Sequence, residues 1–95
     1  MNLHFEWDAN KANANIAKHE VSFEEAVTVF QDVTAIIFDD ENHSDEELRE
    51  IIVGHSVRSR LLLVCFTERN DAIRIINARK ATRREHQDYE EHQRR

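Results

Sequence analysis

The first residues alternate: in Leu3-His4-Phe5-Glu6-Trp7 the apolar side chains fall at every second position, which predicts a short strand with Leu3, Phe5 and Trp7 on one face. Asp8 then offers a helix N-cap, and Ala9 to His19 predicts a weakly amphipathic helix with Ala9, Ala12 and Ile16 along one stripe. A second helix start is sharper. Ser22 and Glu25 have capping-box spacing, Val21 and Ala26 are placed as a hydrophobic staple, and Phe23, Ala26, Val27 and Phe30 follow at helical intervals. Ser22 to Gln31 is therefore predicted to pack one face inward.

Thr34 to Phe38 is β-branched and apolar, the mark of a strand, and the acidic stretch Asp39 to Glu47 predicts a loop. Arg49 to Val57, Arg60 to Thr67 and Ala72 to Ala78 follow as three strands, joined by Arg58-Ser59 and by Arg69-Asn70-Asp71. Connections this short imply an antiparallel meander. In Leu61 to Phe66 both alternating faces are apolar, so this strand is expected at the centre, covered on two sides. Lys80 to Arg95 has no Pro or Gly and pairs Glu90 with Arg94 and Glu91 with Arg95 at i, i+4, which predicts a third helix whose one sizeable apolar residue is Tyr89. The order βααββββα describes one α+β domain over residues 1–95: a small, mainly antiparallel sheet with two N-terminal helices on one face and a C-terminal helix. The opposite face is the expected working surface.

Composition narrows the class. The 95 residues are enough for one core. The longest apolar run, Leu61 to Phe66, is far short of the roughly 20 residues a membrane span needs. The start, Met1-Asn2-Leu3-His4, shows no basic stretch followed by an apolar one, so no secretory signal is expected and the setting is read as cytoplasmic. One cysteine, Cys65, excludes an intrachain disulfide. The net charge of −6 conceals an asymmetry: residues 1–57 hold 13 acids and three bases, whereas 58–95 hold ten bases, nine of them Arg, and six acids. The basic end is the one suited to a polyanion, because the planar guanidinium matches phosphate and carboxylate.

Few residues carry candidate chemistry. The six histidines show no ligand spacing and the single Gly54 builds no phosphate-cradling loop, so neither a metal nor a cofactor is expected. Cys65, inside the most apolar strand, reads as a buried inert thiol. Lys18-His19 ends the first helix, where both groups complement the helix dipole or form an acid/base pair at the junction; the sequence leaves both open. In Ile73-Arg74-Ile75-Ile76-Asn77, strict alternation places Ile73 and Ile75 on one face and Arg74 with Ile76 on the other. Arg60, Arg69 and Arg79 fall near the ends of the same strands.

These blocks resemble the BrnT family of type II toxins. The resemblance rests on Phe5-Glu6-Trp7-Asp8, Lys11, Asn15, Lys18-His19, Val21-Ser22-Phe23-Glu24-Glu25-Ala26, Val29-Phe30, His43-Ser44 and Ile52-Val53-Gly54. It continues in Arg60-Leu61-Leu62, Thr67-Glu68-Arg69 and the run Ile73 to Thr82. Two positions depart from the family pattern, Glu20 and Asn70, where glycine is usual. The resemblance implies a RelE-like fold and a metal-independent endoribonuclease that arrests translation and growth until a BrnA-type antitoxin masks it. That antitoxin, a ribbon-helix-helix protein, would connect the toxin to operator DNA only indirectly. His19 is then the acid or base, Lys18, Arg74 and Arg79 hold the phosphate, and Arg60, Arg69 and Lys80 contact RNA. No cofactor and no membrane are implied. The rival reading is a noncatalytic protein-binding domain, or a degenerate toxin that keeps only antitoxin binding.

Overall fold

The structure, a computed structural model, describes residues 3–41 and 47–94. The middle of the predicted acidic loop, including His43 and Ser44, lies outside the described residues, as does the end of the predicted third helix at Arg95. In chain order the elements are β1 (His4–Glu6), α1 (Ala9–His19), α2 (Phe23–Thr28) continued by a single 3₁₀ turn Val29–Gln31, β2 (Ile36–Asp39), β3 (Glu50–His55), β4 (Leu61–Arg69), β5 (Ala72–Lys80) and α3 (Arg83–Gln93). The expected order holds. The five strands form one sheet in the order β1-β5-β4-β3-β2, antiparallel except for the parallel pair β1–β5.

Each helix starts where a side chain satisfies orphan backbone N–H groups. Asp8 accepts from the N–H of Asn10 at 2.8 Å and of Lys11 at 3.1 Å, and Ser22 Oγ accepts from the N–H of Glu25 at 3.0 Å. The Ser22 box is not reciprocal, because the Glu25 carboxylate turns instead to Arg60 and Ser56. A full capping box lies at Thr82 and Glu85, which opens α3. α1 ends at Glu20, in the left-handed region (φ 60°) with its N–H on Ile16 O at 2.9 Å. A glycine suits that position, since a Cβ is crowded there. Asn70 (φ 48°) and Asp71 (φ 70°) make the β4–β5 turn, where Asn tolerates the same region well.

The main core lies between α1, α2 and one sheet face: Val21, Phe23, Ala26 and Val29 meet Ile52, Leu62, Val64, Phe66, Ile75 and Ala78. Aromatic contacts tie β1 into it, Phe5 to Phe30 and Phe30 to Phe66 at 5.1 Å between ring centroids, and Trp7 to Phe23 at 5.9 Å. The expected stripe on α1 differs: Ala9 and Ile16 are exposed, and the buried pair is Ala12 and Asn15. Asn15 displaces Ile16 because three backbone groups of Val21 and Ala78 pair with its amide. Leu3, before β1, is also exposed.

The second sheet face is covered in part by α3. Tyr89 packs with Val53, Leu61 and Leu63, its hydroxyl lying 2.8 Å from Thr34 Oγ1, and Gln93 donates to Thr34 O at 2.9 Å. Thus one aromatic anchor and a set of polar contacts hold a helix that is otherwise solvent-facing. Between Cys65 and Phe66 the β4–β5 ladder shifts: Phe66 faces Ile75 while Cys65 faces Asn77, leaving Ile76 as a bulge. The bulge reverses the alternation downstream. Arg79, which strict alternation puts with Ile73 and Ile75, instead faces the same side as Arg74. No helix among the described residues is long and apolar enough to cross a membrane.

Candidate functional site

α1 is fixed against the outer margin of β5. β1 pairs only with Ala72, Ile73 and Arg74, so further along β5 the edge needs other partners. The Asn15 side chain supplies them. Its amide donates to Ala78 O at 2.8 Å and to Val21 O at 2.9 Å, and its carbonyl accepts from Ala78 N at 3.1 Å. Lys18 and His19 follow on the next turn, Lys18 exposed and His19 half-buried, at the end of the sheet where β5 finishes. Lys80, opposite Leu62 in the ladder, and Arg60, just before β4, occupy that same end.

Arg60 is tied into the fold there. Its guanidinium makes a two-pronged ion pair with Glu25, Nε to Oε2 at 2.9 Å and Nη2 to Oε1, and also donates to Glu20 O at 3.0 Å. Ser56 Oγ donates to the same carboxylate at 2.7 Å, and Arg58 lies 3.6 Å from it. The Glu25 side chain is only 5 % exposed, and the Arg60 hydrogen bonds hold its carboxyl below the ordinary range against the opposing effect of burial.

The other arginines project from the second sheet face or its far end, and each meets a carboxylate. Arg74 pairs with Glu6 across β5–β1 at 2.9 Å. Arg69 pairs with Glu47 at 3.0 Å. Arg79 makes a fork-to-fork pair with Glu85 on α3, at 2.7 and 2.8 Å. Arg79 and then the Thr82 N–H hold the Glu85 carboxyl at about 2, against desolvation. The Glu85 hydrogen bond likewise raises the Arg79 pKa.

The structure therefore sorts the candidates by position. Lys18, His19, Arg60 and Lys80 share one end of the sheet. Arg79 adjoins Lys80 but points to the opposite face. Arg74 lies about 15 Å back along β5, and Arg69 about 30 Å from Arg60 along β4, at roughly 3.4 Å per residue. Between Arg79 and the far end of β4 the second face carries a hollow of about 300 Å³ lined by Asp40, Arg49, Ile51 and Asn77 among others. Cys65 sits in its wall, and burial pushes the thiol up to about 11, as an inert thiol requires. Among the described residues no group of three His, Cys, Asp or Glu is arranged to hold a metal. The sequence reading missed the carboxylates that engage the arginines. The Thr82–Glu85 box could have located one of them, while Glu6, Glu25 and Glu47 become partners only through the fold.

A family model described as ribonuclease toxin, BrnT, of type II toxin-antitoxin system matches residues 7–85. The chain belongs to the BrnT family. It is thereby assigned to the ribonuclease toxins of type II toxin–antitoxin systems, which implies an antitoxin partner. The crystal structure of the Brucella abortus ribonuclease toxin BrnT is similar to it in fold, with a TM-score of 0.68 at 24 % identity, covering 86 % of this chain and 100 % of that one. No curated protein shows a significant match. Glu20 and Asn70 both fall at left-handed backbone positions, where a glycine would carry no steric cost.

Proposed function

We propose that this BrnT-family chain is a metal-independent endoribonuclease of RelE-like fold that arrests translation and growth, and that a BrnA-type antitoxin neutralises it. The observation that carries the reading is the family match over residues 7–85, which includes every proposed site residue. The antitoxin's DNA-binding part would reach the operator, so this chain meets DNA only through its partner.

The chemistry needs three things: a base to take the ribose 2′ proton, cations for the phosphorane, and an acid for the 5′ oxygen as the P–O5′ bond breaks. The products are a 2′,3′-cyclic phosphate and a 5′ hydroxyl. His19 suits the base or acid role, because an imidazole can accept a proton on one ring nitrogen and donate one from the other. Lys18 and Arg79, on either side of the end of β5, would hold the reacting phosphate, and Arg74, about 15 Å back along β5, would hold a phosphate further along the RNA. Lys80, Arg60 and Arg69 would contact the RNA on the flanks. Arg79 would reach a phosphate by exchanging the Glu85 carboxylate for it, an anion of similar bidentate geometry.

The second reading, antitoxin binding with little or no cleavage, is favoured by one observation: Arg60, Arg69, Arg74 and Arg79 all hold internal carboxylates. Cleavage of single-stranded RNA in excess chelator separates the two. The nuclease reading expects discrete cuts, lost with His19→Ala and Arg79→Ala and weakened with Arg74→Ala, and growth arrest relieved by the BrnA-type antitoxin. Intact RNA with harmless overexpression would support the binding domain, and full cleavage by His19→Ala and Arg74→Ala proteins would remove the proposed site.

A further inference from the structure

Glu25 is the third residue of α2, where a carboxylate ordinarily turns back to the N-cap backbone and closes a capping box. Its side chain goes inward instead, to the turn between β3 and β4, and is almost fully buried there. Oε2 accepts from Arg60 Nε at 2.9 Å and from Ser56 Oγ at 2.7 Å, and Oε1 accepts from Arg60 Nη2. Ser56 belongs to the same turn: its N–H donates to Arg60 O at 2.9 Å, and its Oγ accepts from Arg58 N–H at 3.2 Å. Taking a carboxylate out of water is costly, and a buried ion pair adds little net stability over apolar side chains of the same volume. The pair is better explained by the geometry that it fixes.

That geometry belongs to the connection from α1 to α2. Arg60 Nη2 bonds Glu25 and also donates to Glu20 O at 3.0 Å, so the carboxylate aims the guanidinium and the guanidinium holds Glu20. The next residue is held by a second side chain: Val21 O accepts from Asn15 Nδ2 at 2.9 Å, and Asn15 is itself bonded to Ala78 of β5. Glu20 sits in the left-handed region at φ 60°, where a Cβ is penalised and the surrounding contacts must hold the backbone. Lys18 and His19 are the two residues before it, in the last turn of α1. Where that turn is fixed therefore decides how both side chains stand against the end of β5.

We propose that Glu25 is a positioning residue for RNA cleavage: through Arg60 and the Glu20 carbonyl it fixes the last turn of α1, and so sets where Lys18 and His19 meet the substrate. This role rests on the ribonuclease reading for its substrate and on His19 for its chemistry. A catalytic group displaced by about 1 Å can lose about a hundredfold in rate, so loosening the turn should slow the chemical step more than it weakens RNA binding. Two simpler roles make different demands. A carboxylate that only stabilised the fold would, when removed, lower the melting temperature and leave the kcat of the folded protein intact. One that only masked Arg60 would, when removed, tighten RNA binding.

Glu25→Gln and Arg60→Lys, made in the whole protein, test this by amide hydrogen exchange and by cleavage of single-stranded RNA. Glutamine sets an amide donor against the guanidinium, and lysine keeps the cation but cannot fork to Glu25 and Glu20 O together. Both are expected to speed exchange of the Glu20 amide, bonded to Ile16 O at 2.9 Å, by about tenfold, the worth of one charge-assisted hydrogen bond. The Ala12 amide, bonded to Asp8 O at 3.0 Å at the other end of α1, should keep its rate. Both variants should lose about tenfold or more in kcat, and Glu25→Gln should keep KM within about twofold. Glu24→Gln, at the exposed neighbouring position, is expected to change none of these. An unchanged Glu20 amide, equal acceleration at both ends of α1, a Glu25→Gln loss confined to KM, or tighter RNA binding with faster cleavage would overturn the proposal. Should Glu25→Gln not fold, Arg60→Lys, which retains both charges of the buried pair, decides it. Wild-type cutting with unchanged kcat in the variants removes the positioning role and leaves the nuclease. Wild-type protein that leaves RNA intact while the variants loosen the Glu20 amide overturns the nuclease and with it the catalytic role, and only the clamp on α1 stands.

Discussion

Asn15 is the residue whose loss should disturb the molecule most for its size. It is 6 % exposed and closes three hydrogen bonds, one as donor and one as acceptor with Ala78 on the β5 edge and one as donor to Val21 O. Asn15→Ala removes all three, each contributing about 1 kcal/mol net, and strands backbone groups of Val21 and Ala78 in a buried setting. The expected loss is about 3–4 kcal/mol, a large share of the roughly 5–14 kcal/mol that a domain of this length has in total. At about 4–8 °C per kcal/mol, the melting temperature should fall by roughly 12–32 °C. Urea titration at neutral pH measures this as a lower midpoint with little change in slope. Asn15→Asp supplies an internal control. The introduced carboxyl keeps the acceptor but loses both donors and is buried against two carbonyl oxygens, so its folded pKa is raised. Its penalty is therefore largest above that raised pKa and eases as pH falls and the acid recovers one donor. A change below about 1 kcal/mol for Asn15→Ala would refute the claim that this amide fastens α1 to the sheet.

Three further outcomes follow from the geometry. Glu20→Gly removes a Cβ from a left-handed position while the Glu20 carbonyl that accepts from Arg60 is retained, so a gain of about 1 kcal/mol is expected in the same urea assay; a loss would show that the Glu20 side chain stabilises the helix end. Gly54→Ala would place a Cβ 2.9 Å from Ala35 Cβ, 3.0 Å from Asp32 Oδ2 and 3.1 Å from Val29 Cγ1, and is expected to cost about 1–3 kcal/mol by overpacking, with an unchanged midpoint as the contrary result. The Glu85 carboxyl is lowered from 4.5 to about 2, so the stability it contributes is fully present above about pH 4.5 and is lost as pH falls toward 2. Allowing for solvent screening of the 37 % exposed Arg79, that is about 1–2 kcal/mol. The wild type should exceed Glu85→Gln by this amount at pH 6 and match it near pH 2, and a difference that does not change with pH would refute the assignment.

The element order was legible because the local signals agreed with the packing. The Ser22 start, the doubly apolar Leu61 to Phe66 and the Asn70-Asp71 turn all have local causes, and each appears in the structure at or within a few residues of its expected place. Tyr89 was legible as the anchor of α3 because no other residue there could serve. The failures were long-range. The Ile76 bulge cannot be read from alternation, yet it decides which face Arg79 occupies. Asn15 reads as an ordinary helix-surface amide until β1 proves too short to satisfy the β5 edge. The arginine-rich half looked like a free cationic surface because charge was counted along the chain, whereas Glu6, Glu25 and Glu47 reach those arginines only after folding.

The central claim is that side chains of this domain cleave RNA by attack of the 2′ hydroxyl, without a metal. The most direct measurement is mass spectrometry of the ends left when chelator-treated protein is incubated with a defined single-stranded RNA. The account expects 2′,3′-cyclic phosphate and 5′-hydroxyl ends at discrete positions, and none from His19→Ala; intact RNA, or fragments carrying 5′-phosphate and 3′-hydroxyl ends, would contradict it.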